Sequence, residues 1–197
     1  ANGTATISAG SLTGTITLPI NNDNLFEDTE TIVIDMGNPT NCSIGATPTT
    51  TISIADNDNA PTVRFAVGAG AAASDATSDQ ESISVTLSTV SGKETTIPYT
   101  IGGASTVTST GIYADHNLVA GNLVIPIGSL TGNITYNPVV DNTYENDEIL
   151  IIDLGAPTNA TLNADGSVTT HSVTFSSSDA APTIGFSATT SNITETD

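Results

Sequence analysis

The chain has 197 residues and carries 21 Asp plus Glu against 2 Lys plus Arg, a formal charge of −19 at neutral pH. Its cations are Arg64 and Lys93, too few for nucleic-acid binding through phosphates, and an anionic membrane surface would repel it. Apolar residues make up 37% of the chain and fall in short alternating runs, which marks a folded core and excludes a disordered polyanion.

The first predicted element in chain order is an apolar run around Ile32, Ile34 and Met36, with these three inward and Asp35 outward. Seven strands follow, at 62–67, 82–88, 95–101, 122–127, 132–139, 148–154 and 169–176. The run Ser82-Ile83-Ser84-Val85-Thr86-Leu87-Ser88 alternates at period two, as a strand with one buried face must. In the sixth of the seven, Leu150, Ile152 and Leu154 face inward and Asp153 outward. Thr, Val and Ile dominate the runs, while Gly, Asn, Asp and Ser fill the gaps as turn formers. No segment sustains a 3.6-residue period. The fold class this predicts is all-β: tandem immunoglobulin-like, seven-stranded antiparallel β-sandwiches.

The chain also repeats itself. Gly10-Ser11-Leu12-Thr13-Gly14 returns as Gly128-Ser129-Leu130-Thr131-Gly132, and 17 of the 36 residues from Gly10 to Gly45 are identical at that offset of 118. Ala60-Pro61-Thr62-Val63-Arg64-Phe65 returns as Ala181-Pro182-Thr183-Ile184-Gly185-Phe186, an offset of 121. The change in offset places an insertion of about three residues around Ala164-Asp165-Gly166. Residues 1–59 then read as the second half of one repeat, 60–180 as a complete repeat and 181–197 as the opening of a third. The chain reads as a slice of a longer repeat protein, with any export signal upstream of Ala1. The junction Asp56-Asn57-Asp58-Asn59-Ala60-Pro61 is short and stiffened by proline, not a Gly/Ser tether.

The carboxylates concentrate in loops at matching places. Asp23, Glu27 and Glu30 enter one strand, and Asp141, Glu145 and Glu148 enter its repeat. Asp56 and Asp58 end the first repeat, Asp179 ends the second, and Asp115 precedes the fourth strand of the complete repeat. In a sandwich these loops meet at one pole. Carboxylates gathered there repel one another unless a cation joins them, and calcium takes six to eight oxygen ligands. Asp35 and Asp153 also recur, but mid-strand, and read as structural.

These residues resemble the Calx-β family: Asp23-Asn24-Leu25-Phe26-Glu27-Asp28-Thr29-Glu30 before Ile32-Val33-Ile34, closing on Asp56-Asn57-Asp58, and Asp141-Asn142-Thr143-Tyr144-Glu145-Asn146-Asp147-Glu148 before Ile149-Leu150-Ile151. Asp115-His116 matches the family's Asp-Tyr, and Glu195 matches its Glu after the first strand, for which Asp75 or Asp79 stands in within the second repeat. The resemblance implies an immunoglobulin-like sandwich with Ca²⁺ at one pole, a regulatory sensor in exchangers and a repeat in large extracellular proteins. Ser177 in place of a terminal Asp removes one carboxylate from the second repeat.

No catalytic motif is present. His116 and His171 lie far apart without a Cys or second His nearby, which argues against zinc. Cys42 is single, so it forms no disulfide within the chain and reads as a small, partly buried apolar residue. No run of 18 apolar residues exists to span a membrane. The sequence therefore predicts a non-enzymatic, calcium-binding structural or adhesive repeat of an extracellular, cell-surface protein. Calcium would stiffen its junctions, and its partners would be neighbouring repeats and, in a filament, other copies. The alternatives are a transporter's calcium sensor, which predicts adjoining membrane spans, and a carbohydrate- or matrix-binding module, which predicts an exposed aromatic patch.

Overall fold

Period-two alternation of β-branched residues produces the strands that position everything else. The computed structural model describes residues 3–162, 168–190 and 193–195. The short insertion expected around Ala164-Asp165-Gly166 lies outside the described residues. β1 (Glu30–Asp35) and β2 (Thr49–Ile54) form an antiparallel pair running from Glu30 opposite Ile54 to Asp35 opposite Thr49.

The remaining strands are β3 (Thr62–Phe65), β4 (Ala73–Ser74), β5 (Glu81–Leu87), β6 (Thr95–Ile101), β7 (Gly121–Ile125), β8 (Thr131–Tyr136), β9 (Glu148–Leu154), β10 (Thr161–Leu162) and β11 (Thr170–Ser176). They build two sheets, β10-β3-β5-β8 and β4-β11-β9-β6-β7. Between these lies one apolar core, in which Val63, Phe65, Val85, Ile97, Ile125, Leu150 and Ile152 are fully buried. Each such side chain contributes about 1.5–3 kcal/mol of transfer free energy. Leu150, Ile152 and Leu154 face inward as their spacing requires.

The all-β class and all seven predicted strands of this unit are present. β4 and β10 are additional, and each pairs in parallel with a sheet neighbour, β4 with β11 and β10 with β3. Two residues are too few to show a period, so neither strand leaves a sequence signature.

Two expectations fail where a facing sheet is missing. Met36, expected inward, is 61% exposed. Ile32 and Ile34 are only half-buried, because no second sheet covers β1 and β2 among the described residues. The segment repeating β3 forms no strand, and Ile184 and Phe186 stand fully exposed. β3 is held by β5 and β10 on its two edges, whereas this segment has no such neighbours among the described residues. No helix of the described residues is long and apolar enough to cross a membrane.

Candidate metal centre

One pole of the sandwich collects carboxylates from four stretches of chain. Asp75 follows β4, Asp115 lies between β6 and β7, Asp141 and Glu145 lie between β8 and β9, Glu148 opens β9 and Asp179 follows β11. Oxygens of Asp115, Glu145 and Glu148 lie within 4.8 Å of one another, and so do those of Asp75, Asp141 and Asp179. All six side chains are half-buried.

Backbone donors hold several of these groups in place. Thr108 N–H donates to Asp115 Oδ2 at 2.6 Å, Thr143 N–H to Asp141 Oδ1 at 2.7 Å and Ser178 N–H to Asp75 Oδ1 at 2.6 Å. The Asp141 and Asp115 bonds are local, a short polar loop turning a carboxylate back onto its own amides, whereas the Asp75 bond ties two distant loops together. The crowding shows in the proton affinities. Burial first, then the charges of Asp115, Asp141 and Asp75, pushes the Glu145 carboxyl above its ordinary value, so the two triads sense each other. Burial, then Asp115 and Glu145, does the same to Glu148.

No cation answers this charge, since the one Lys or Arg ion pair among the described residues joins Lys93 to Asp28. Asp179 Oδ2 is buried with no hydrogen-bond partner. An unpaired carboxylate oxygen inside a group of its own sign is costly, and a metal ion would satisfy it. The donors are all hard oxygens, a set that fits calcium or magnesium rather than a thiophilic metal.

The first unit repeats the pattern more openly. Asp23, Glu27, Glu30, Asp56 and Asp58 line a single recess at the end of β2. Glu27 N–H donates to Asp56 Oδ2 at 3.0 Å, and Asp58 N–H to Asp56 Oδ1 at 3.3 Å. Desolvation, followed by the charges of Asp23, Glu30, Asp56 and Asp58, raises the Glu27 pKa. Among the described residues, however, the sets of three acidic oxygens within 4.8 Å all lie in the second unit.

No family model and no curated protein matches the sequence. Among solved structures, the apo form of the Calx CBD1 domain matches with a TM-score of 0.50 and 16% identity, over 61% of this chain and 100% of that one. The calcium-binding domain CBD12 of CALX1.1 matches with a TM-score of 0.50 and 17% identity, over 59% of this chain and 44% of that one. The sandwich has the fold of the Calx CBD1 domain. This chain spans less than half the length of the CBD12 chain it matches.

Against this Calx-like frame, ten of the eleven carboxylates singled out in the sequence sit in the two acidic groups. Glu195, read as part of a third repeat, stands exposed in the C-terminal segment and lies in neither group among the described residues. Of Asp75 and Asp79 in the second unit, Asp75 lies with Asp141 and Asp179. The parallel pairing of β4 with Phe175 and Ser176 carries Asp75 to Ser177 and Ser178, and no periodicity in that loop announces it.

The recurrent Asp35 and Asp153 are buckles between strands, accepting from the hydroxyls of Thr49 and Thr170 at 2.6 Å in each case. Cys42 is exposed rather than partly buried, in the loop that joins β1 to β2. His116 and His171 are core residues. His116 Nδ1 accepts from Leu118 N–H at 3.1 Å, and its ring lies 6.1 Å from that of Phe175. Burial pushes the His116 pKa down against the opposing pull of Asp115.

Proposed function

We propose that this chain is a Calx-β-type segment of tandem repeats that binds Ca²⁺ and acts as a structural module rather than an enzyme. Its units would be the half-repeat 1–59, the complete repeat 60–180 and the opening 181–197. Its setting would be an extracellular, cell-surface protein, where calcium near the millimolar range fills sites of modest affinity. The observation that carries this reading is the pair of half-buried carboxylate triads at one pole, with an unpartnered oxygen on Asp179 and no cation beside them.

The Asp75, Asp141 and Asp179 set and the Asp115, Glu145 and Glu148 set would each supply three oxygens, with water and backbone carbonyls completing the shell. Asp23, Glu27, Glu30, Asp56 and Asp58 would form a looser site next to the junction. A bound ion there neutralises repulsion at the hinge, so successive sandwiches hold a narrower range of angles and the array behaves as a rod. An adhesive or filament-forming role follows from that stiffness.

The deciding experiment is calorimetric titration of the full chain with Ca²⁺ and with Mg²⁺, alongside melting in calcium and in chelator at fixed ionic strength. Saturable calcium binding and a raised melting temperature are expected. No binding heat together with an unchanged midpoint refutes the proposal.

A further inference from the structure

The loop that carries Asp23, Glu27 and Glu30 also touches the following sandwich. Phe26 forms an isolated parallel β-bridge with Ser91, in the turn between β5 and β6. The Phe26 carbonyl accepts from Gly92 N–H at 3.1 Å and from the Ser91 hydroxyl at 3.4 Å. Ser91 is 2% exposed, and its own carbonyl accepts Gly128 N–H at 2.9 Å, so the turn is braced from behind. Lys93 Nζ lies 4.8 Å from the centroid of the Phe26 ring and pairs with Asp28. Lys93 is one of only two Lys and Arg residues in the chain, and it is spent at this contact.

Gly92 sets how closely the two parts approach. A Cβ there would fall 2.6 Å from Glu27 Cγ and 2.9 Å from Glu27 Oε1. A side chain there would force the Glu27 carboxylate to move, so the turn lies directly on the carboxylate at the centre of the first acidic group.

We infer that the Ser91–Lys93 turn is a docking surface for the acidic loop of the preceding unit, that Gly92 determines the fit, and that docking holds Glu27 in position for the cation. The complementarity is chemical: an aromatic ring flanked by an aspartate meets a glycine flanked by a hydroxyl and an ammonium. In the second unit Tyr144 takes the place of Phe26 and is 49% exposed. Tyr144 offers the same ring with Asn146 where Asp28 stands, and the partner it fits is a hydroxyl-glycine turn on another unit of this kind. If docking favours the ion-bound arrangement of Glu27, the ion favours docking by the same factor. Only this coupling rests on the calcium reading.

The test uses the full chain with spin labels on the native Cys42 and on an Asn122→Cys substitution, both exposed sites. Pulsed dipolar distances in chelator and in calcium report how firmly the two parts are joined. The wild type should give a narrow distribution, Phe26→Ala and Gly92→Val a broad one, and Phe26→Tyr should restore the narrow one. The two disrupting variants lie on opposite sides of the contact, so a shared change reports on the contact and not on either fold. Unchanged distributions in both overturn the docking. In calorimetric titration, Gly92→Val should weaken the first group about tenfold and leave the second-unit triads as they were. Wild-type affinity in that variant overturns the coupling. A wild type that binds no calcium sinks the calcium reading instead, and the distance distributions still decide the docking.

Discussion

Replacing Glu145 with Gln should stabilise the ion-free protein and blunt its response to calcium. Glu145 shares one 4.8 Å neighbourhood with Asp115 and Glu148. Two unit charges at that separation repel by about 0.9 kcal/mol at the dielectric of water and about 3.5 kcal/mol at an effective dielectric of 20. The group is open to solvent on one side, so the lower figure governs, and two neighbours give about 1–2 kcal/mol. The substitution removes the charge and keeps the shape. In chelator the variant should therefore melt about 2–8 °C above wild type, at roughly 2–4 °C per kcal/mol for a chain of this size.

In calcium at a hundredfold excess over Kd, the wild type gains about 2.7 kcal/mol. A tenfold loss of affinity in the variant removes about 1.4 kcal/mol of that gain. Scanning calorimetry of both proteins, in chelator and in calcium at one ionic strength, reads both effects. A variant that melts below wild type in chelator, or that keeps the whole calcium shift, would show that this carboxylate is neither strained by its neighbours nor a ligand.

Three further outcomes follow from the same geometry. Glu27, Glu145 and Glu148 have folded-state pKa values raised above 4.5, so the folded form holds protons more tightly than the unfolded one. The stability that protonation lends is complete below about 4.5 and is lost as pH rises through the raised values. His116, pushed below 6.5 by burial, works in the opposite direction, so the clean measurement is a difference. The melting gap between Glu148→Gln and wild type in chelator should be widest near neutral pH and narrow as pH falls through the raised Glu148 value, and a constant gap contradicts the assignment. Ser177→Asp, which restores the carboxylate that Asp56 supplies in the first unit, should tighten calcium binding and lower the ion-free melting temperature; titration and melting check it, and weaker binding counts against Ser177 lying at the site. Thr170→Val removes the 2.6 Å bond to Asp153 and should cost about 1 kcal/mol in denaturant unfolding with calcium affinity unchanged, whereas a change in affinity would make Asp153 part of the site.

What the sequence by itself determined is periodic. Alternation in the run 82–88 and in the run 148–154 specifies strands with one buried face, because side chains on a strand alternate by geometry alone. The repeated spacing of Asp23, Glu27 and Glu30 with Asp141, Glu145 and Glu148 marked matched acidic loops, because a repeat copies a loop and its residues together. Tertiary structure decided the rest. Asp75 joins Asp141 and Asp179 only through the parallel pairing of a two-residue strand, and Glu195 has no such pairing. Met36 is exposed because burial needs a second sheet, which no property of that residue supplies. The contact of Phe26 with Ser91, Gly92 and Lys93 joins residues about 65 positions apart. Such a contact depends on where two units come to rest against each other, and no local period encodes that.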